Sequence, residues 1–328
     1  MERMDGQASE KDTAALRAER IAAEYLGERV RDSYPIVGKG MVNQVYVVEA
    51  ASRKLVVRMN DADAYASYRK EQWCIEQAAA AGVPGPEVLA VGVADEKAYM
   101  LQSFLAGEDG VDAAVPKSAI WRQLGEYAAR IHAIPVKGYG ENLEDPATGE
   151  FRSPPHPGSD GSWAGYVQYN IDSLTERDPL LALGVLTPAT SAAARGLFER
   201  LKRTAFRFGL AHGDLSLKNA MVDPSGRVAM LDWGNAEVTV VPHGDVMQLL
   251  QLRLQGGEPD MESYDAFLEG YGVREEALPD LLPLLLLRAC DKLRWALDRR
   301  PELTASYAAF AKQAADLALA GDRGYFAG

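Results

Sequence analysis

Cysteine is almost missing from this chain. Cys74 and Cys290 are the two among 328 residues, and they lie far apart in helical surroundings. Such a pair makes neither a disulfide framework nor a metal site, so a reducing compartment is expected, with both thiols packed as small apolar groups. Histidine is scarce too: His132, His156, His212 and His243 are the four, and no two have metal-ligand spacing. Long apolar runs are also lacking. The longest, Leu281 to Leu287, is broken by Pro283, cannot span a bilayer and reads as a buried helix segment. The polar N-terminal residues hold no apolar core of a secretory signal. Positive charge is deficient, with 35 Lys and Arg against 47 Asp and Glu and a net charge of −12. Nucleic-acid and membrane-surface binding need clustered cations, so neither partner is expected. The acid excess permits a cationic ligand and equally serves solubility. A cytoplasmic monomer is the expectation.

What is present is ordinary for a globular enzyme of one large or two modest domains: 25% charged and 47% apolar residues. Residues 12 to 31 have helical periodicity, with Leu16, Ile21, Tyr25 and Leu26 on one side. A glycine-rich turn (Val37 to Asn43) runs into an alternating strand, and Leu55 to Met59 is a β-branched strand. A helix over 61 to 81 stops at Gly82, and strands follow within 83 to 93 and over 97 to 104. Residues 1–103 thus read as one domain, a helix plus a five-stranded sheet. Residues 104–328 read as a second, mostly helical domain, with helices over 119 to 132, 163 to 174 and 191 to 208. The stretch 136 to 161, rich in Gly and Pro, reads as a long functional or mobile loop.

The densest signal is HGDLSLKNAMVDPSGRVAMLDWG, from His212 to Gly234. Asn219 follows Asp214 by five residues and Asp232 follows it by eighteen. Between them lie an apolar run, an Asp223-Pro224-Ser225-Gly226 turn and a second apolar run, which is a hairpin signature. Folding it would bring Asn219 and Asp232 together at the rim of a small sheet. A carboxylate placed to accept a hydroxyl proton, followed by an amide and a carboxylate fit to hold Mg2+, is phosphoryl-transfer equipment. In this reading Asp214 is the base, and Asn219 and Asp232 are the metal ligands. A chance match around a tight turn is the alternative.

Upstream, Gly38 and Gly40 sit in a turn that enters a strand rather than a helix, so neither a dinucleotide-binding nor a Walker loop fits. A glycine turn on a hairpin can instead lie over nucleotide phosphates. Arg58, on the next strand, can be pinned by Glu71 of the following helix to hold phosphates; the two can equally be surface residues. His212 can act as a base or brace the loop through the backbone. Lys218 can touch phosphate or face solvent. Trp163, Tyr166 and Tyr169 fit a wall for a sugar or ordinary core packing. Residues 258 to 280 hold eight Asp or Glu against Arg274, which suits either a polycationic ligand or a solvated face.

HGDLSLKN followed by LDWG resembles the catalytic loop and metal motif of the aminoglycoside phosphotransferases and their relatives, the antibiotic and choline-type kinases. LVVRMNDADAY with GVPGPEVLAVG resembles their N-terminal lobe, in particular that of hygromycin-type kinases, where the strand cation is also Arg. SWAGYVQYNIDSL resembles the insertion that helps build the substrate site. The likeness covers roughly residues 30 to 310. It implies an α+β, bilobal, protein-kinase-like fold, with a small antiparallel N-lobe carrying one helix and a larger helical C-lobe. It also implies ATP, or GTP, with Mg2+, and Gln102 to Phe104 as the hinge whose backbone meets adenine. Two departures stand out: Arg58 replaces the usual Lys, and the metal motif reads Asp-Trp-Gly. The expected activity is transfer of a γ-phosphate to a hydroxyl of a small, cationic, aminoglycoside-like acceptor. A metabolite kinase (choline, a sugar or an amino-alcohol) and a catalytically inactive nucleotide-binding protein remain as alternatives.

Overall fold

A computed structural model describes residues 3–36 and 44–320. Gly38 and Gly40 lie outside the described residues. The chain packs as two compact units, one running to Ala113 and including Lys218–Gly234, the other Ala114–Leu217 with Asn235 onward.

The first unit opens with α1 (Arg3–Leu26). It is followed by β1 (Val30–Pro35), β2 (Gln44–Ala50), β3 (Lys54–Asp61), α2 (Tyr65–Ala80), β4 (Val88–Ala94), β5 (Lys97–Ser103) and β6 (Glu108–Asp109). Strands β1 to β5 form one antiparallel sheet in the order β1-β2-β3-β5-β4. Side chains alternate across it. Leu55, Val57, Met59 and Leu101 point to the α1 face, packed with Ala14, Ala18, Ile21 and Ala22. Ala98 and Met100 point to the other face, against Tyr68 of α2. Arg58, opposite Met100 in the ladder, therefore sits on the α2 side. The helix expected over 12 to 31 ends at Leu26, and Val30–Pro35 is an edge strand instead. Its buried stripe is alanine-rich, while Leu16 and Tyr25 are exposed. Small side chains let α1 lie close on the sheet, so size rather than hydrophobicity chose the buried face.

The same unit takes in β11 (Ala220–Val222) and β12 (Val228–Met230), the expected hairpin, with Ala220 opposite Met230. Asp223 closes its turn by accepting from the Ser225 and Arg227 backbone N–H groups at 2.7 and 3.1 Å. Met221 pairs with Asp109 of β6, and the Met230 N–H donates to the Pro84 carbonyl at 2.8 Å. These ladders carry the unit beyond residue 103 and draw residues 218 to 234 into it.

The second unit holds α3 (Lys117–Ile131), β7 (Lys137–Tyr139), β8 (Asn142–Asp145), β9 (Glu150–Arg152), α4 (Trp163–Ser173), α5 (Pro179–Ala182), α6 (Pro188–Arg203) and β10 (Phe208–Ala211). It continues with β13 (Glu237–Val240), α7 (His243–Leu254), α8 (Met261–Tyr271), α9 (Leu281–Arg299) and α10 (Thr304–Ala320). The stretch expected to be a loop folds into a small sheet, β7-β9-β8, tied to β13 by paired backbone hydrogen bonds between Gly140 and Val238 at 2.8 Å. Its strands are three or four residues long, too short for period-2 alternation to be seen. Residues 204 to 211, partly assigned to a helix, instead leave α6 and form β10, antiparallel to β13. Helices α3 and α8 pack backbone to backbone. A Cβ on Gly125 would strike the Phe267 carbonyl, and one on Gly270 the Arg122 carbonyl. Leu284 to Leu287 of α9 are buried, as the apolar run predicts. Cys74 and Cys290 are both buried and free, and burial pushes each thiol up to about 12, so both are inert packing groups. Among the described residues no helix is long and apolar enough to cross a membrane.

Candidate active site

Within the first unit one cation organises three segments of chain: β3, α2 and the turn over 232 to 234. Arg58 pairs through Nη1 with Glu71 of α2 and through Nη2 with Asp232 Oδ1 at 3.2 Å. The same Glu71 Oε1 accepts from the Trp233 backbone N–H at 3.2 Å, and Lys70 Nζ donates to the Gly234 carbonyl at 2.8 Å. Adjacent residues of α2 thus clamp the Asp-Trp-Gly segment from either side. Arg58 and Glu71 are buried, while Asp232 is about half exposed, its side chain at 48%. Burial opposes the Arg58 charge, and the Glu71 and Asp232 carboxylates outweigh it, holding the guanidinium above its ordinary range. The guanidinium carbon lies 5.7 Å from the Tyr68 ring centre, and burial pushes that phenol up to about 12.

Asp232 has φ +56°, a left-handed conformation that Asp tolerates better than most residues. A side chain kept there marks a segment held by its surroundings, here the Glu71 and Lys70 clamp. The Leu231 N–H donates to the Asn219 carbonyl at 2.8 Å, so the hairpin sets Asn219 and Asp232 at the same rim. Lys218 is exposed to solvent. Among the described residues no group of three His, Cys, Asp or Glu is placed to hold a metal. Asn219 and Asp232 offer an amide and a carboxylate oxygen. These suit a hard cation such as Mg2+, which takes few protein ligands and completes its shell with phosphate and water.

The expected hinge is the end of β5. Gln102 is buried on the Arg58 face, opposite Val56. Ser103 donates its N–H to the Glu87 carbonyl at 2.9 Å, which commits that donor within the sheet. Phe104 is 37% exposed, with Lys54 Nζ 5.7 Å from its ring centre.

Within the second unit, β10 delivers His212, Gly213 and Asp214. Gly213 has φ +76°, and a Cβ there would strike the Asn235 carbonyl, so the turn needs glycine. Asn235 Nδ2 donates to Asp214 Oδ2 at 3.4 Å. His212 is buried, and its Nδ1 accepts from the Asp214 backbone N–H at 3.3 Å, the bracing role. Beneath the loop lies a network that the sequence reading missed. Asp245 of α7 accepts from the Gly213 N–H at 3.3 Å and bonds His132 Nε2 at 3.0 Å; His132 Nδ1 meets the Tyr271 hydroxyl at 3.0 Å. Gln248, one turn along, accepts from the Leu215 N–H at 3.1 Å. Burial opposes the Asp245 charge, and the His132 hydrogen bond with further partners prevails, holding its carboxyl below the usual range. Asp245 and Gln248 stand i, i+3 on one face of α7, but the loop groups they hold are backbone N–H groups, which no sequence pattern announces.

The same unit holds a cavity of about 660 Å³. Glu237, opposite Ala211 in the β10–β13 ladder, lines it, as do Tyr139, Trp163, Tyr166, Tyr169 and Trp295. Trp163 and Tyr166 also pack against Tyr139, with ring centres 5.3 and 5.6 Å away, so these aromatics pack with one another while lining the cavity. Its charged lining is even: Glu141, Glu237, Asp291 and Asp298 against Arg288, Lys292, Arg294 and Arg299. The acidic stretch 258 to 280 contributes nothing to it. Glu258 pairs with Lys117 at 2.6 Å, Glu269 with Arg122 at 2.6 Å and Asp280 with Arg200 at 3.2 Å, while Asp260 caps α8. Those pairs lie on a solvated face, while Asp265, Glu269, Glu275 and Glu276 line a separate recess of about 530 Å³.

The phosphotransferase enzyme family (APH) matches residues 33–284. A probable ketoamine kinase from Staphylococcus aureus is 25% identical over 217 residues, 62% of this chain and 68% of that one. The solved aminoglycoside phosphotransferase APH(4)-Ia has a TM-score of 0.65 at 19% identity, covering 92% of this chain and 98% of that one. A putative fructosamine-3-kinase from Haemophilus somnus has a TM-score of 0.60 at 14% identity, covering 93% and 99%. These folds are kinase-like α+β folds, as this one is: an antiparallel N-terminal sheet and a mainly helical C-terminal region. With the family matched over residues 33–284, the chain belongs to the phosphotransferase enzyme family and is a small-molecule phosphotransferase.

Proposed function

We propose that the chain transfers the γ-phosphoryl group of ATP, or of GTP, to a hydroxyl of a small molecule seated in the 660 Å³ cavity. The observation that carries this reading is the setting of Asp214. Its loop is fixed from below by Asp245 and Gln248, its carboxylate is oriented by Asn235, and its strand is paired to the strand whose Glu237 lines the cavity. Asp214 takes the proton as the acceptor oxygen bonds to the γ-phosphorus. The bond from that phosphorus to its bridging oxygen breaks, and the nucleoside diphosphate leaves. Residues 1–103 with the returning hairpin serve the nucleotide, and residues 104–328 otherwise serve the acceptor. Arg58, steadied by Glu71, meets the α- and β-phosphates, and Gly38 and Gly40 cover them. Gln102 and Phe104 frame adenine; since the Ser103 N–H is already committed, the base is left with the neighbouring backbone groups. Asn219 and Asp232 would hold Mg2+, which when bound neutralises phosphate charge. The inert thiols fit a cytoplasmic protein, and we read it as a monomer.

For the acceptor, two relatives frame the choice. APH(4)-Ia has been solved with AMP-PNP and hygromycin B, and the Staphylococcus aureus relative is a probable ketoamine kinase. An aminoglycoside-like antibiotic carries several positive charges. The evenly charged cavity, to which no acid of residues 258 to 280 contributes, favours a hydroxylated sugar–amine adduct instead. The test is nucleoside-diphosphate release with Mg2+ and ATP across aminoglycosides, hygromycin B, choline, sugars and ketoamines. Asp214→Ala should lose about 10²–10⁴-fold in kcat with unchanged thermal stability. Full activity in that variant would sink the mechanism.

A further inference from the structure

Not all the charges around the cavity are available to a ligand. Arg294 commits both Nη groups, to Asp178 at 2.6 Å and Asn170 at 2.8 Å, which leaves only its Nε, buried like that of Arg288, without a partner among the described residues. Arg299 is spent on its neighbour Asp298 at 2.6 Å. Arg288 and Lys292 differ. They stand one turn apart on α9, so their side chains share a face. Arg288 reaches only Glu237, at 3.9 Å, the outer edge of an ion pair, and its Nε is buried with no hydrogen-bond partner among the described residues. Lys292 Nζ lies 5.4 Å from the Trp295 ring centre. Burial, and then the Arg288 charge beside it, draws the Lys292 ammonium below its ordinary range, as expected for two like charges facing one recess. Glu237 opposes them on β13, and burial raises its carboxyl.

We infer that the acceptor carries a carboxylate that lodges on Arg288 and Lys292 and an amine that faces Glu237, an amino-acid-like zwitterion joined to the hydroxylated part that is phosphorylated. This rests on the reading of the cavity as the acceptor site. A planar carboxylate matches the guanidinium fork and supplies the orphaned Nε with a partner. A phosphate dianion would bring excess negative charge against Glu237 and Asp291. A polycation would place like charge against Arg288 and Lys292, the arrangement that excludes a partner.

The experiment compares two probes that differ in the carboxylate alone: N-(1-deoxyfructosyl)glycine and 1-deoxy-1-methylaminofructose. The full-length wild type should prefer the first by at least about tenfold in kcat/KM, the scale of a charge-assisted hydrogen bond. That ratio should collapse toward one in Arg288→Met and in Lys292→Gln, through the KM of the acidic probe, with melting temperatures checked for each. An equal preference in the wild type, or a ratio unmoved in both variants, overturns the inference. So does turnover of aminoglycosides with none of either ketoamine, a result that leaves the kinase reading intact. If no acceptor stimulates Asp214-dependent nucleoside-diphosphate release, the kinase reading itself fails. Calorimetric titration of the acidic probe then decides the cavity alone: binding lost in Arg288→Met supports the carboxylate site, and no binding to wild type overturns it.

Discussion

Two charged constellations in this protein are built on opposite plans. Around Arg58 every charge is matched. Glu71 serves the guanidinium and the Trp233 N–H with one oxygen, Asp232 takes the second Nη, and Lys70 closes on Gly234. Around Arg288 the charges balance in number, but the pairing is loose, with a 3.9 Å ion pair and an orphaned Nε. A matched set is rigid and suits a partner whose charge never varies, such as a nucleotide polyphosphate. A loose set keeps its interaction capacity for a ligand, at the cost of holding poorly paired charge in a recess. Under the proposed function, the first set would serve the nucleotide and the second would set acceptor specificity.

The anchor under Asp214 belongs to the matched kind, and it offers the largest break. Asp245→Ala leaves His132 and the Gly213 N–H buried without their acceptor, and should cost about 3–5 kcal/mol of stability by chemical denaturation. A cost near zero would mean the network is decorative. Acid sharpens the point. The folded-state carboxyl of Asp245 sits below its unfolded value, so its contribution is complete above the unfolded value of about 4 and is lost as pH falls through the folded one. The stability of Asp245→Asn should fall less than that of wild type over that acid range, measured by urea midpoints at each pH.

Next in size is Glu71→Gln. It removes the charge that steadies Arg58 while keeping an oxygen for the Trp233 N–H. We expect roughly a 10–100-fold loss in kcat/KM, carried by the nucleotide rather than the acceptor. A loss carried by the acceptor KM would move Arg58 out of the phosphate-binding role and erase the contrast with Arg288.

The two plans also differed in how far they could be read from sequence. The Arg58 set lies on short, patterned segments. Strand alternation puts Arg58 on the α2 side, helix phase brings Glu71 to it, and the turn at Asp223 returns Asp232 beside Asn219. The five-stranded sheet, the hairpin and the helical second region follow from the same periodicities. The cavity has no such local grammar. Its walls come from β7, α4, β13, α7 and α9, far apart in the chain, and Arg288 and Lys292 look like any basic residues on an amphipathic helix. The strands at 137 to 152 were too short to show a period. Asp245 and Gln248 act on backbone N–H groups, which have no sequence signature. Gly38 and Gly40 lie outside the described residues.

The smallest expected effect tests what the acid excess is for. Residues 258 to 280 tempt a polycation reading because eight carboxylates crowd a short stretch. Glu258, Glu269 and Asp280 pair with Lys117, Arg122 and Arg200 on neighbouring helices, and exposed pairs of this kind contribute little. Neutralising two of them together, Glu258→Gln with Glu269→Gln, should change the acceptor KM by less than about twofold and leave the melting temperature within experimental scatter. Arg288→Met, which removes a single charge, should act on KM because its charge lines the cavity while theirs do not. If the double variant raised KM for a cationic acceptor as much as Arg288→Met does for an acidic one, acceptor recognition would follow the field of the whole surface rather than two cations on α9. The salt dependence would then tell: screening weakens a diffuse surface field over about 8–10 Å at 0.1–0.15 M, and touches a recessed carboxylate pair far less.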